Sequence, residues 1–266
     1  MIRPYHIEFN SVNEILVVGC GGTGGFVAEG LCRLLGDRYN LMLIDHDRIE
    51  PHNLLRQNFY KDDVGNYKSQ ALAERLSRQY CRHIGYCVQP FSDNLIREYI
   101  GNGLVSLISR GLVIGCVDNS FARKSIAESI KLSGWWLDAG NGEHSGQVLI
   151  GNRQSNLLSG TFDQKTMSIR GLPLPSVQQP SLLAPTVEPR KPLSCAEAVE
   201  SDTQSPVINR IMADMVLQFV YLFLRGELEW MGAYIDLKSG TMNTVPAEPK
   251  LVSDMTGVPV KELITK

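Results

Sequence analysis

The sequence predicts an α/β fold: a doubly wound, mostly parallel sheet with an antiparallel C-terminal extension. Three observations carry the prediction. Short, continuously apolar, β-branched runs recur along the chain, as strands buried on both faces require. They alternate with segments of helical period. A glycine-rich turn, Gly19-Cys20-Gly21-Gly22-Thr23-Gly24, joins the first such run to the first helical segment.

The elements follow in order. Ile15-Leu16-Val17-Val18 is a buried strand, and a helix from about Thr23 to Leu35 puts Phe26, Val27, Leu31, Leu34 and Leu35 on one face. Leu41-Met42-Leu43-Ile44 is the next strand and ends on Asp45, completing a βαβ unit of about thirty residues. A helix from about Lys68 to Tyr80 carries Leu72 and Leu76 inward. Leu112-Val113-Ile114-Gly115-Cys116 is another buried strand, with Asp118 just past its carboxyl end, where open α/β sheets place ligands. Trp136-Leu137-Asp138-Ala139 and Gly146-Gln147-Val148-Leu149-Ile150 read as later strands, the second as an antiparallel edge. From Gly151 to Ser194, Pro173, Pro175, Pro180, Pro185, Pro189 and Pro192 lie among serines and glutamines with little periodicity, which predicts a mobile surface loop. A helix from about Pro206 to Leu224 shows a wide apolar face, suited to a core or a dimer surface. Tyr234-Ile235-Asp236-Leu237 and Thr241-Met242-Asn243-Thr244-Val245 form a hairpin about Lys238-Ser239-Gly240.

Composition excludes some classes. The 266 residues carry 26 basic and 28 acidic side chains, a net charge of −2, so no global field draws the chain to nucleic acid or an anionic membrane. Its cysteines, Cys20, Cys32, Cys81, Cys87, Cys116 and Cys195, form no CxxC pair, which argues against zinc and against a disulfide scaffold. The N-terminus lacks an apolar signal core, and the run Met215 to Leu224 is too short to span a bilayer. The expectation is a reducing, cytoplasmic setting.

Gly19, Gly21 and Gly24 make a GxGxxG pattern. It allows a tight turn, a close backbone approach to phosphate and a helix N-terminus facing the anion, with Gly22 in the same turn. Asp45, some twenty residues on, suits the ribose hydroxyls. This Rossmann-like signature alone equally fits a nicotinamide or flavin enzyme. The stretch Asp45 to Gln57 separates the readings, because nucleotidyl transfer needs cations on phosphates and a carboxylate for Mg2+. Arg56 can fork across phosphate oxygens, Lys68 adds a second cation, and Asp118 is the metal candidate. That pattern points to ATP.

The DxDxxxxxNLxRQ run from Asp45 to Gln57, the following Val64-Gly65-xx-Lys68, and Asp118-Asn119 closely resemble the ThiF/MoeB/E1-like superfamily, which activates ubiquitin and related sulfur-carrier proteins. The resemblance covers about Glu14 to Gly151 and resumes at Cys195-Ala196-Glu197-Ala198. It implies ATP-dependent adenylation of the C-terminal carboxylate of a ubiquitin-like or sulfur-carrier protein ending in Gly-Gly. By the same resemblance, the glycine turn and Asp45 hold the nucleotide, Asn53, Arg56, Gln57 and Lys68 handle its phosphates, Asp118 organises Mg2+, and Asp47 and Asn119 support the site. A homodimer is implied, with Arg3 the only candidate for the arginine that homodimeric relatives supply from the partner's N-terminal region. Compact size and Ser194 to Glu197 look most like bacterial ThiF-type proteins, including the PRTRC-system branch.

The expected organisation is a nucleotide-binding adenylation core over 1–150, a Pro-rich crossover loop over 151–194, and a helix and hairpin over 195–266 that complete the same domain. Two readings of Cys195 stay open: a thioester acceptor for the acyl group, or a structural thiol. Alternatives for the whole chain are a noncatalytic nucleotide-binding adaptor for a ubiquitin-like protein and an NAD-dependent oxidoreductase. The second would leave Arg56, Lys68 and Asp118 without roles.

Overall fold

The computed structural model describes residues 4–8, 12–92, 111–130, 134–184 and 206–265. In chain order its strands are β1 (His6–Ile7), β2 (Glu14–Val18), β3 (Asn40–Ile44), β4 (Ile84–Cys87), β5 (Leu112–Gly115), β6 (Trp135–Asn141), β7 (Ser145–Gly151), β8 (Phe162–Asp163), β9 (Ser168–Ile169), β10 (Trp230–Asp236), β11 (Thr241–Pro246) and β12 (Ile264–Thr265). The α-helices are α1 (Gly22–Leu34), α2 (Lys68–Tyr80), α3 (Ser120–Ser129), α4 (Pro175–Gln178), α5 (Pro206–Arg225), α6 (Pro249–Thr256) and α7 (Val260–Leu263).

The main sheet has eight strands in the order β11-β10-β7-β6-β5-β2-β3-β4. Strands β4, β3, β2, β5 and β6 run parallel, and β7, β10 and β11 continue the sheet antiparallel. Their sequences explain the burial. Ile15, Leu16, Val17, Leu112, Val113 and Ile114 are almost wholly inaccessible because helices or loops cover both faces. The chain winds outward in both directions from β2 and β5, so the crevice lies where the turn after β2 meets the turn after β5.

Helix α5 lies along α1 and across β6 and β7. Gly30 makes that approach possible: a Cβ there would stand 2.1 Å from Leu217 Cδ1. Ile208, Met212, Val216, Phe219, Val220 and Phe223 turn inward, with Phe223 edge-on to Trp135 and Phe219 edge-on to Trp230. The expectation that the apolar stretch is too short for a bilayer held only for Met215 to Leu224. Val207–Arg225 as a whole is long and apolar enough to cross one, and packing against α1 and the sheet accounts for that hydropathy.

Two expectations are corrected. β7 is antiparallel as read, but it is interior, flanked by β6 and β10; the edge on that side of the sheet is β11, whose first four residues are exposed. Residues 151–184 do not run over the surface as a loop. They supply β8, β9 and α4, and β1-β9-β8-β12 form a second, four-stranded sheet that gathers segments from both ends of the chain. Leu158, Phe162, Ile169, Leu172 and Leu174 are all buried, with Tyr5 edge-on to Phe162 at 5.2 Å. The prolines hid this because each strand is two residues long, too short for any period to register. Pro185, Pro189, Pro192 and Cys195 lie outside the described residues, as does Arg3.

Phe162→Ala would open a cavity between the two sheets' elements, and a loss of about 3–5 kcal/mol in urea unfolding is expected. A surface loop would lose almost nothing.

Candidate functional site

A cavity of about 500 Å³ opens along the carboxyl ends of the parallel strands. Its floor is the glycine turn. Gly19 has φ +87°, and a Cβ there would lie 2.5 Å from the Cys116 carbonyl oxygen, so the turn leans directly on the end of β5. A Cβ on Gly24 would lie 1.8 Å from Gly19 O, which makes that position intolerant of any side chain. The turn delivers the N-terminus of α1 to the cavity. No acidic side chain lies in its first turn, and its N-cap, Gly21, makes no side-chain cap, so the first N–H groups and the helix dipole remain available to an anion.

Asp45 ends β3 on one side. Its Oδ2 accepts from Cys20 N at 2.6 Å and its Oδ1 from Asp47 N at 2.8 Å, which locks the carboxylate against the turn. Burial pushes its pKa up, against the pull of those two N–H bonds. Asp47 is half in solvent and holds Lys68 Nζ at 2.9 Å, while Lys68 itself is largely buried at the first residue of α2. Asp45, His46 and Asp47 present ligand atoms within 4.8 Å of one another. With both Asp45 oxygens bound to N–H groups and Lys68 on Asp47, a cation is already supplied there.

Asn53 is buried, and its Oδ1 accepts from Glu50 N, so it shapes the short 3-10 turn Pro51–Leu55. That turn aims half-buried Arg56 and Gln57 at the cavity. Asp118 is exposed on the lining after β5. Asn119 next to it caps α3, accepting from Ala122 N at 2.8 Å. Every site residue expected from the sequence, Arg3 and Cys195 aside, either lines this cavity or, like Gly24, shapes the turn that does.

The structure adds residues that the sequence reading passed over. Arg123 on α3 is nearly buried and places Nε 3.2 Å from Asp138 Oδ1 on β6, and Asp138 is wholly buried. Burial raises the Asp138 pKa from the ordinary 3.8 to about 6, with Arg123 opposing the rise. Thr23 Oγ1 donates to Asn141 Oδ1 at 3.2 Å, and Asn141 Nδ2 donates to Asn209 Oδ1 at 3.2 Å, a polar chain joining α1, β6 and α5. Gln147 and Phe91 complete the walls. Two signals could have found some of these. Arg123 shares a helix stripe with Ile126 and Ala127, and Asp138 interrupts an apolar strand; both patterns mark buried charge.

This geometry coincides with a known family. Its model, the ThiF family, matches residues 9–248. The chain belongs to the ThiF family. Among curated proteins, ubiquitin-like modifier-activating enzyme 5 of Dictyostelium discoideum is 33% identical over 145 residues, 50% of this chain and 36% of that protein. The Rattus norvegicus protein of the same name is 30% identical over 142 residues, 49% of this chain and 34% of its own length. The chain therefore spans about a third of the length of these curated relatives. Among solved structures, PaaA superposes with a TM-score of 0.60 at 20% identity, over 89% of this chain and 73% of PaaA. A structure of E. coli MccB with ATP gives 0.56 at 16% identity, over 88% and 63%. These likenesses place the doubly wound sheet and its antiparallel extension within the ThiF fold.

Two outcomes follow from the ThiF-family site. Gly24→Ala drives a methyl into the Gly19 carbonyl and displaces the turn, so urea unfolding should show a loss of about 1–3 kcal/mol. For Asp138, the folded pKa lies above the unfolded one, so its contribution to stability is full below about 4 and is lost as pH rises through about 6. Urea midpoints of the native protein should carry this downward component between those pH values, and Asp138→Asn should remove it.

Proposed function

We propose that the chain is an adenylyltransferase that activates the C-terminal carboxylate of a ubiquitin-like or sulfur-carrier protein with ATP. One observation carries this reading: the α1 N-terminus, Arg56, Lys68 and Asp118 converge on one cavity at the switch point of the sheet. Membership of the ThiF family and likeness to ubiquitin-like modifier-activating enzymes support it.

The residues fit a nucleoside triphosphate. The glycine turn leaves no side chain between the helix N-terminus and a phosphate, Asp45 presents a fixed carboxylate at the ribose end, and Arg56 and Lys68 offset phosphate charge. An incoming carboxylate oxygen attacks the α-phosphorus, a new C–O–P anhydride forms, the bond to the β-phosphate oxygen breaks, and pyrophosphate leaves with that electron pair. No proton moves and no side-chain nucleophile is required. The obstacle is the meeting of two anions, which positioned donors and cations lower because they need no reorganisation when charge shifts. Asp118 would hold Mg2+, whose chemistry when bound would be charge neutralisation at the departing pyrophosphate.

Lys68 acts from a fixed position, since Asp47 holds its ammonium. The Arg123–Asp138 pair sits toward β6, on the side away from Asp45. The acyl carboxylate is accordingly proposed to enter over β6 and β7, past Asp118. Cys195 is the proposed acceptor should the acyl group move on from the adenylate, and a homodimer is the proposed assembly.

The test is ATP–pyrophosphate exchange in the presence of a small ubiquitin-fold protein ending in Gly-Gly. Exchange should require that protein and its free C-terminal carboxylate, and Arg56→Ala should lower the rate by roughly 100- to 1000-fold. ATP binding without exchange, beside a partner that binds, would instead support the adaptor reading. A reducible acyl adduct that persists in Cys195→Ala would remove that cysteine from the mechanism.

A further inference from the structure

Among the described residues, three buried side-chain atoms make no hydrogen bond: Gln57 Oε1, Trp136 Nε1 and Asn209 Nδ2. Gln57 and Asn209 line the cavity. Asn209 belongs to the first turn of α5, far in sequence from the nucleotide motifs, and is 1% exposed.

The oxygen end of its amide is occupied: Oδ1 accepts from Asn141 Nδ2, and Asn141 Oδ1 in turn accepts from Thr23 Oγ1. The nitrogen end remains, and it lies against Gly22, where a Cβ would stand 2.5 Å from Nδ2. Gly22 is the first residue of α1. A buried N–H donor therefore lies beside the first residue of the helix whose terminal backbone N–H groups attract an anion. The donor calls for an oxygen acceptor, and the neighbouring groups make an anionic oxygen the matching one.

We propose that Asn209 is a nucleotide-phosphate ligand, donating through Nδ2 to a phosphate oxygen held at the N-terminus of α1. The inference rests on the adenylation reading, since it takes ATP as the occupant. Its chemistry, an anionic oxygen, is shared by the acyl carboxylate; contact with the first residue of α1 favours the phosphate. Asn209 would thus bring α5 to a site otherwise built by the βαβ unit, the segment from Asp45 to Lys68 and the elements from β5 to β7.

Asn209→Asp tests this. It keeps the shape and the acceptor for Asn141 and replaces the donor with an anion. In equilibrium dialysis of the full chain with Mg2+, ATP should bind roughly 10- to 100-fold more weakly, while adenosine, which has no phosphate, binds as before. Equal ATP binding overturns the proposal. So does parallel weakening of ATP and adenosine, which marks a structural role. Unchanged ATP binding with a raised KM for the acyl substrate assigns the donor to the carboxylate and also overturns it. Asn209→Ser, which retains a small donor, should recover part of the ATP affinity, and it takes over the comparison should the aspartate variant not fold. Failure of the unaltered chain to bind ATP would overturn the adenylation reading itself; ATP bound equally by both proteins would overturn this inference alone.

Discussion

The contact between Gly24 and the carbonyl of Gly19 is the constraint on which the site depends. With 1.8 Å between a notional Cβ and that oxygen, the turn closes only because the position has no side chain. Closure aims the first N–H groups of α1 at the space above β2 and β5 and brings Gly19 onto the Cys116 carbonyl. Gly22 and Gly30 then let α5 lie against α1, at Asn209 and Leu217 respectively. The turn and the end of β5 are thereby fixed by backbone contacts, and α5 is held on α1 by the Asn209 and Leu217 side chains that the two glycines leave room for.

Charge within the site is held in pairs. Lys68 is tied to Asp47, Arg123 to Asp138, and Asp45 to two backbone N–H groups. Burying one member of such a pair alone is strongly unfavourable, so each partner fixes where the other can stand. Cations whose geometry is set beforehand need no reorganisation to meet an anion, and these carboxylates set that geometry for Lys68 and Arg123. Asp138 shows the competition directly: burial moves it toward neutrality while Arg123 pulls it back.

The second sheet gives the middle of the chain a structural role. Residues 162–169 pair with a strand from near the N-terminus and with one from near the C-terminus, burying Ile7, Phe162, Ile169 and Leu263 together. This platform fixes the start of the chain and its last helices beside the main sheet. β7 leads into it and α4 packs back onto β6 and β7, so the platform is joined to the strands that line the cavity.

By itself the sequence determined the βαβ unit, the hairpin, the apolar runs of β2, β3, β5, β6 and β7, and the glycine turn, Asp45, Arg56, Lys68 and Asp118 that share one cavity. These rest on local signals: continuous β-branched runs, helical period, and glycines at fixed spacing, all of which a few neighbouring residues express. Only the tertiary structure decided that β7 is interior, that residues 151–184 fold into a second sheet, and that Asn53 and Asn119 serve as backbone caps. It also decided that Arg123, Asp138, Asn141 and Asn209 meet at the cavity. Two-residue strands are too short to show a period, and a pairing such as Asn141 with Asn209 joins positions whose closeness arises only once α5 has packed on α1. Local chemistry fixes what each segment prefers; which distant polar groups share one buried volume is set by the packing of whole elements.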